Sequence, residues 1–306
     1  MLRLSFAALL LCTCAISEQV VIAHRGASGY LPEETLPAYA YAYAAGADYL
    51  EPDLILTKDK TFICMHDTQL ETTTNVKAVF PDRKADDGHW YAKDFTLAEL
   101  KTLTAHERTG NRFPREAQGF QIATFAELIQ LVQGLNKTTG RNVGIYPELK
   151  DPAWHAKNGF EMEGPFLEIM TKYGYTGKDA KCFVQCFEPE PLKKMREMKS
   201  ELPQIFLMDA GMANKLTEGD LTDIAKFANG IGPDLRAIEK DPALVERVHK
   251  AGLLIHPYTL RKDMMLPKYK TFEDAVKTYY DEYKVDGFFT DFPDYAAAHL
   301  RTKQGK

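Results

Sequence analysis

This 306-residue sequence is poor in cysteine, which argues against a fold held together by disulfides. It has five cysteines, and two of them, Cys12 and Cys14, lie within the first 17 residues. Cys182 and Cys186 fall in one strand-like run, where their α-carbons would be about 13 Å apart, beyond the reach of a disulfide. We therefore expect these two cysteines and Cys64 to be buried free thiols.

Basic runs and long apolar runs are also missing. The formal net charge is −5 and no Lys/Arg-rich run occurs, which argues against a nucleic-acid partner. After residue 17, no stretch approaches the roughly 18 uninterrupted apolar residues of a membrane span. No glycine-rich dinucleotide fingerprint follows any strand-like run. These absences favour a soluble protein that acts on a small molecule.

The first 17 residues have the composition of a secretory signal peptide. An arginine precedes an apolar stretch at 4–16, which ends in the small-x-small sequence Ala15-Ile16-Ser17. The apolar stretch is too short to span a membrane, and it lacks the polar face of a helix packed on a domain. We expect cleavage before Glu18 and export of a single domain, 18–306, to the periplasm or the medium.

Strand-like and helix-like segments alternate along this domain. Eight short strand-like runs occur at 20–24, 48–53, 142–148, 181–187, 204–208, 229–232, 252–256 and 286–290. Between them, apolar residues recur at helical spacing at 36–45, 125–135, 160–173, 191–198, 221–227, 242–250 and 272–283. Such alternation predicts an α/β fold, a (β/α)₈ TIM barrel, whose main competitor is an open doubly wound sheet.

Two segments depart from the alternation. The run at 61–66 follows the second strand too closely for a parallel crossover, so we predict a hairpin that brings His66 roughly opposite Asp53. Pro52 lacks a backbone donor and predicts irregular geometry in that second strand. Residues 67–120 exceed what one crossover needs, and we expect them to form an insertion over the barrel mouth, with a capped helix beginning at Thr96.

The predicted strand ends are unusually polar, and a barrel keeps its active site at the carboxyl ends of its strands. The residues there are His24, Arg25, Glu51, Asp53, Glu148, Lys150, Gln185, His256 and Asp291. Glu51 and Asp53 share one face of their strand, and Glu148 comes from the next strand. Three such carboxylates repel one another unless a cation lies among them, and hard oxygen ligands suit Ca²⁺ or Mg²⁺. The alternative is a structural salt-bridge cluster with Arg25 and Lys150.

Two histidines accompany these charges. His24 and His66 each end an apolar strand beside a charged residue, which is awkward for a core histidine. With a divalent cation, Arg25 and Lys150 nearby, two imidazoles can exchange protons during phosphoryl transfer. A glycosidase built on Glu51 and Glu148 would leave both histidines without a role.

Motifs along nearly all of residues 18–306 match one known family in order. They are His24-Arg25-Gly26-Ala27-Ser28-Gly29-Tyr30-Leu31-Pro32-Glu33 with Thr35, Gly46-Ala47-Asp48-Tyr49-Leu50-Glu51-Pro52-Asp53-Leu54, His66-Asp67, Phe80-Pro81-Asp82-Arg83, Gly144-Ile145-Tyr146-Pro147-Glu148-Leu149-Lys150, Gln185-Cys186-Phe187, Gly230-Ile231-Gly232-Pro233-Asp234, His256-Pro257-Tyr258-Thr259 and Thr290-Asp291-Phe292-Pro293-Asp294. On these motifs the sequence resembles the glycerophosphodiester phosphodiesterases, particularly the bacterial periplasmic type. The resemblance implies hydrolysis of glycerophosphodiesters, such as glycerophosphocholine or glycerophosphoethanolamine, to sn-glycerol 3-phosphate and an alcohol.

The resemblance also implies roles for single residues. It implies an acid/base pair in His24 and His66, metal ligands in Glu51, Asp53 and Glu148, and phosphate or substrate contacts in Arg25, Lys150, Glu33, Gln185, Phe187 and Asp291. Two departures stand out. Glu34 replaces a common Asn or His and adds negative charge near the mouth, and the stretch 208–221 is shorter than in periplasmic relatives.

Two other functions remain open on the sequence alone. A related barrel phospholipase, of phospholipase D type, would act on intact lipids and need an exposed apolar rim. A non-catalytic surface protein would bind a ligand without turning it over, although both candidate histidines are present. The nucleophile, water or the glycerol 2-hydroxyl of the substrate, and the oligomeric state are likewise undecided.

Overall fold

The computed structural model describes residues 18–305, in which a ring of parallel strands is surrounded by helices. The strands are β1 (Val20–His24), β2 (Tyr49–Glu51), β3 (Asp53–Leu56), β4 (Phe62–Cys64), β5 (Gly144–Ile145), β6 (Glu148–Leu149), β7 (Val184–Cys186), β8 (Gln204–Met208), β9 (Gly230–Pro233), β10 (Leu254–Ile255) and β11 (Gly287–Thr290). The helices are α1 (Leu36–Ala45), α2 (Val76–Val79), α3 (Leu97–Leu100), α4 (Phe125–Thr139), α5 (Pro152–Lys157), α6 (Glu163–Lys172), α7 (Pro189–Glu197), α8 (Ala210–Ala213), α9 (Glu218–Ile224), α10 (Leu235–Lys240), α11 (Ala243–Lys250), α12 (Phe272–Lys277) and α13 (Pro293–Lys303).

The second and third barrel strands are each divided by a proline. Pro52 separates β2 from β3, and Pro147 lies between β5 and β6. Because proline cannot donate a backbone hydrogen bond, the ladder is interrupted at both places, as predicted for Pro52. The first half of strand two, β2, pairs with β1 and β5, whereas β3 pairs with β6 and β4.

The strands form a closed ring. Parallel pairing runs from β11 through β1 to β2, and from β3 through β6, β7, β8 and β9 to β10. The remaining gap, between β10 and β11, is bridged where Asp286 N donates to Ile255 O (3.2 Å) and Phe289 N donates to Pro257 O (3.0 Å). The predicted (β/α)₈ barrel is confirmed, and the doubly wound alternative is excluded.

Side chains inside the barrel change from apolar to polar along five of its strands. An apolar cluster fills the interior and consists of Ile22, Tyr49, Tyr146, Ile205, Leu207 and Phe289, with Phe183 packed against it. Side chains two residues apart on a strand share a face, so the next inward positions are His24, Glu51, Glu148, Gln185 and Asp291. The apolar cluster therefore lies beneath a polar layer at the carboxyl ends of the strands.

The hairpin and the segment that follows it form a separate core beside the barrel. Strand β4 runs antiparallel to β3, and Met65 N donates to Asp53 O at 2.8 Å, so His66 follows one residue beyond the position opposite Asp53. The buried residues of this core include Ile55, Ile63, Leu70, Trp90, Phe95 and Leu100. Helix α3 has the predicted capping box between Thr96 and Glu99.

Further sequence predictions can be compared with the described residues. In the described part of the chain, Cys64, Cys182 and Cys186 are buried free thiols, as predicted. Between residues 18 and 305, the apolar helices are all too short to cross a membrane. The predicted signal peptide falls on residues 1–17, outside the described part of the chain.

We predict that Gly26→Ala lowers the free energy of unfolding by about 2 to 4 kcal/mol. Gly26 has φ +82°, and an added Cβ would lie 2.8 Å from the carbonyl carbon of Ala38. Gly88→Ala is the control, because Gly88 has φ +90° with nothing within 4 Å of the added Cβ, so only the backbone strain of about 1 kcal/mol applies. Denaturant unfolding measures both, and equal losses would contradict a close-packing requirement at position 26.

Candidate active site

The polar layer opens into a cleft of about 360 Å³ at the barrel mouth. Of the residues predicted for the site, the cleft is lined by His24, Arg25, Glu51, His66, Glu148, Lys150, Gln185 and Phe187. Three further predicted residues, Asp53, Glu33 and Asp291, do not line the cleft and instead contact residues that do. The structure thus brings all the predicted residues to one end of the barrel.

Three carboxylates form the centre of the site. One oxygen from each of Glu51, Asp53 and Glu148 lies within 4.8 Å of the others, and all three residues are buried. Burial and the charge of Asp53 raise the pKa of Glu51 well above its usual value. Burial also raises the pKa of Glu148 to about 8, although Lys150 opposes the shift. The ionised forms of Glu51 and Glu148 are therefore disfavoured unless further positive charge lies nearby.

Two cationic side chains lie against this carboxylate group. Arg25 Nε is 2.9 Å from Asp53 Oδ2, and Lys150 Nζ is 2.7 Å from Glu148 Oε1 and 3.8 Å from Asp53 Oδ1. The Arg25 backbone N–H donates to Glu51 Oε2 at 2.7 Å. Burial alone would raise the pKa of Asp53, but Lys150 and Arg25 outweigh burial and hold that pKa below its ordinary range. The salt-bridge cluster weighed from the sequence is present.

The carboxylate group also fits a hard divalent cation. Within residues 18–305, no group donates a hydrogen bond to either buried oxygen of Asp53, and Arg25 Nε, although close to Oδ2, is not aligned to donate. Glu51 Oε1 is held by Gln185 Nε2 at 3.0 Å, with the other oxygen on the Arg25 backbone. Oxygen donors from carboxylates are the ligands that Ca²⁺ and Mg²⁺ prefer, so Glu51, Asp53 and Glu148 are suited to hold such an ion.

His24 is paired with a buried aspartate. Its Nδ1 lies 2.7 Å from Asp291 Oδ1, and Arg112 Nη2 (2.7 Å) and Arg261 Nε (2.8 Å) donate to Asp291 Oδ2. Burial and then Arg25 lower the pKa of His24 to about 4, although Asp291 opposes the shift. An ionised Asp291 only accepts hydrogen bonds, so the Nδ1 of a neutral His24 carries the proton and Nε2 is left with a free lone pair.

His66 repeats this arrangement from the hairpin. Its Nδ1 lies 2.5 Å from Asp67 Oδ1, and Arg108 Nη1 lies 2.9 Å from Asp67 Oδ2. Burial and then Arg25 lower the pKa of His66, although Asp53 and Asp67 oppose the shift. The cleft thus contains two imidazoles, each oriented through Nδ1 by an aspartate that an arginine also contacts.

Asp291 and Glu33, for which the resemblance implied substrate contacts, are not among the residues that line the cleft. Both Asp291 oxygens are taken by His24 and two arginines. Glu33 accepts from Arg25 Nη1 at 3.3 Å and from Arg108 Nη2 at 2.8 Å. Both acids therefore contact site residues rather than the cleft. Phe187, by contrast, is 42% exposed at the mouth, with its ring edge-on to Tyr258.

Glu34 lies behind the carboxylate group rather than at the mouth. Its Oε1 accepts from Asp53 N at 2.9 Å, and its Oε2 accepts from the Tyr39 hydroxyl. Burial and the charges of Asp53 and Glu51 raise the pKa of Glu34 well above its usual value. The acid that the sequence placed near the mouth is therefore buried behind the carboxylate group, where burial and neighbouring negative charge disfavour its ionised form.

Sequence reasoning missed three arginines of the site. Arg108 and Arg112 come from the predicted insertion, outside its helices, and Arg261 follows β10. An irregular segment has no periodicity to show which of its arginines point toward the site. Only the number of arginines and their position near the barrel mouth could have suggested these three.

A barrel mouth that combines two histidines, a carboxylate group suited to a divalent cation, an arginine and a lysine defines a phosphoester hydrolase. Comparisons with known proteins specify the class. The model of the glycerophosphoryl diester phosphodiesterase family matches residues 24–295. A glycerophosphodiester phosphodiesterase of Haemophilus influenzae is 34% identical, with 93% of this chain and 90% of the relative covered. One from Treponema pallidum is 32% identical, with 96% and 94% covered.

Solved structures share the fold. A putative glycerophosphoryl diester phosphodiesterase from Silicibacter pomeroyi matches with a TM-score of 0.72 at 24% identity, covering 94% of this chain and 95% of that one. An Oleispira antarctica phosphodiesterase, solved with the product sn-glycerol-3-phosphate, matches with a TM-score of 0.70 at 22% identity, covering 92% and 96%. The chain belongs to the glycerophosphoryl diester phosphodiesterase family and is an enzyme of that class, as the sequence motifs predicted.

The raised pKa of Glu148 predicts a pH-dependent stability in chelator-treated protein. Between the ordinary pKa of 4.5 and the folded pKa of about 8, the folded state keeps a proton that the unfolded chain has lost. The contribution of Glu148 to stability therefore falls as pH rises through that window and no longer changes above it. We expect the melting temperature of Glu148→Gln to fall less than that of wild type between about pH 5 and about pH 8.5.

The matched control is Glu190→Gln, because Glu190 is an exposed acid that also pairs with a lysine, Lys193. It should follow the wild-type pH dependence. Identical slopes for Glu148→Gln and wild type would contradict the strained ionisation of Glu148.

Proposed function

We propose that this protein hydrolyses glycerophosphodiesters, such as glycerophosphocholine and glycerophosphoethanolamine, to sn-glycerol 3-phosphate and an alcohol, in a reaction that depends on Ca²⁺ or Mg²⁺. The observation that carries the proposal is the presence of two Asp-oriented histidines in the same cleft as the carboxylate group. The Oleispira antarctica structure, with sn-glycerol-3-phosphate as its product, supports the same product here.

Glu51, Asp53 and Glu148 would hold the metal ion. When bound, the ion supplies positive charge that stabilises the phosphodiester and its transition state. Support comes from the unpartnered Asp53 oxygens and from the raised pKa values of Glu51 and Glu148, which a cation would relieve.

Arg25 and Lys150 bind the phosphate in this proposal. Both line the cleft, and both keep their charge, because nearby carboxylates outweigh burial and raise their pKa values. The guanidinium of Arg25 can grip two phosphate oxygens at once, whereas Lys150 acts as a point charge. Gln185 and Phe187 lie at the end of β7 and along the cleft wall, where we assign them to the glycerol moiety.

The histidines exchange protons. One imidazole takes a proton from the nucleophile, and the other donates a proton to the leaving alkoxide. The nucleophile is either water or the 2-hydroxyl of the glycerol moiety. The second route passes through a cyclic glycerophosphate, so a chromatographic search for this species during turnover separates the two.

We predict that His24→Ala and His66→Ala each lower kcat for glycerophosphocholine by about 10²- to 10⁴-fold, because each removes one proton transfer. Release of glycerol 3-phosphate is the measurement. His89→Ala is the control, since His89 is an exposed histidine that also pairs with a carboxylate, Glu71, and it should keep wild-type activity.

Activity that survives both substitutions would contradict the two-histidine mechanism. Activity that survives chelation would instead contradict only the metal dependence. A substrate with a p-nitrophenolate leaving group, which needs no proton, should restore the variant that lacks the acid but not the one that lacks the base.

We further propose that the enzyme is exported. The composition of residues 1–17 supports this proposal, as set out from the sequence. Mass spectrometry of protein expressed from the full sequence should find a mature chain that begins at Glu18. If the chain in the culture fraction that holds the activity still retains Met1, the export proposal is contradicted.

A further inference from the structure

One short segment of the insertion contacts both histidine–aspartate pairs. Arg108 Nη1 lies 2.9 Å from Asp67 Oδ2, while the other oxygen of Asp67 lies against His66. Arg112, four residues on, places Nη2 2.7 Å from Asp291 Oδ2, while the other oxygen of Asp291 lies against His24. The same Arg–Asp–His order therefore occurs twice, with both arginines from residues 108–112.

We propose that Arg108 and Arg112 are positioning residues for the reaction, which fix the two aspartates and thereby the orientation and tautomer of both histidines. This inference rests on the proposed function, because it assigns the histidines their proton transfers. An aspartate that is free to rotate would no longer hold the imidazole Nδ1–H, and the Nε2 of that histidine would lose its alignment with the substrate.

Each arginine is anchored at a second point, which is what allows it to fix a carboxylate. Arg108 also donates through Nε (3.0 Å) and Nη2 (2.8 Å) to Glu33 Oε1. Arg112 also donates through Nε (2.7 Å) and Nη2 (3.0 Å) to the Asp263 carboxylate, and through Nη1 to Ser28 O at 3.1 Å. A planar guanidinium can hold two acceptors in fixed directions, whereas a lysine ammonium offers one flexible point charge.

The two pairs differ in how many cations hold them. Asp291 also receives Arg261 Nε at 2.8 Å, so loss of Arg112 leaves one arginine in place. Within residues 18–305, Arg108 is the one Lys or Arg paired with Asp67. We therefore expect substitution of Arg108 to reduce activity more than substitution of Arg112.

The test is steady-state hydrolysis of glycerophosphocholine by the full chain carrying Arg108→Met or Arg112→Met. We expect kcat to fall about 10- to 100-fold for Arg108→Met and less for Arg112→Met, with KM within about twofold of wild type. Arg115→Met is the matched control, because Arg115 lies in the same stretch, is exposed and donates only to the Thr72 carbonyl among described residues. It should keep wild-type kcat.

Two measurements distinguish positioning from a merely structural role. Added guanidinium ion should restore part of the kcat of Arg108→Ala, whose site is partly open to solvent. In the Asp67→Asn background, Arg108→Met should cause little further loss, because the pair acts as a unit. If the methionine variants do not fold, Arg108→Lys and Arg112→Lys provide the same comparison, with lower kcat and unchanged KM expected.

Wild-type kcat in both arginine variants, or fully additive losses in the double variant, would overturn the inference. These outcomes are distinct from failure of the proposed function, in which the wild-type chain itself would release no glycerol 3-phosphate.

Discussion

The site depends on keeping three carboxylates within 4.8 Å of one another in a buried place. Repulsion and lost solvation oppose their ionisation, so positive charge must come from the chain or from a bound ion. Arg25 and Lys150 supply part of that charge, and the unpartnered oxygens of Asp53 show where more can be accepted. Arg25 achieves its position with φ +55°, a left-handed conformation that is costly for a residue with a side chain. The local backbone strain thus lies directly beside the carboxylate group.

The barrel explains how these charges reach one place. Along the inward faces of several strands, a side chain of the apolar cluster precedes a polar one by two residues, as with Ile22 and His24 or Tyr49 and Glu51. The aromatic and aliphatic cluster below excludes water and fixes the register of the strand ends. The side chains of the polar layer above therefore lie in the same register. Pro52 divides strand two, which lets Glu51 end β2 while Asp53 begins β3 and pairs with Glu148. The proline thus lies between the two acids that it helps to place on different ladders.

Strand periodicity carries information that irregular segments lack. The alternation of strands and helices, and the polar residues at strand ends, could be predicted because they follow from a period of two or 3.6 residues. Helices α5, α8 and α10 have four to six residues and are too short for a period to show. Arg108 and Arg112 act through tertiary contacts made by a loop. Glu34 has a left-handed backbone, with φ +63°, and its side chain lies behind the carboxylate group rather than at the mouth. Asp291 and Glu33 lie at the end of the barrel where the sequence placed them. Their contacts with site residues, rather than with the cleft, depend on the surrounding arginines, which the sequence pattern did not show.

Negative and positive groups alternate outward from the central carboxylates, because the buried charge of each layer must be balanced by the layer around it. The central carboxylates require Arg25 and Lys150. Burial and then Arg25 lower the pKa of both His24 and His66. The aspartates that oppose this shift, Asp291 and Asp67, are themselves partly or fully buried and need cations of their own. Those cations are Arg112 and Arg261 on one side and Arg108 on the other. Because Arg108 and Arg112 belong to the insertion, the barrel alone cannot complete this sequence of charges. The insertion is for that reason part of the active site, and its attachment to the hairpin core links the placement of both histidines to one packed unit.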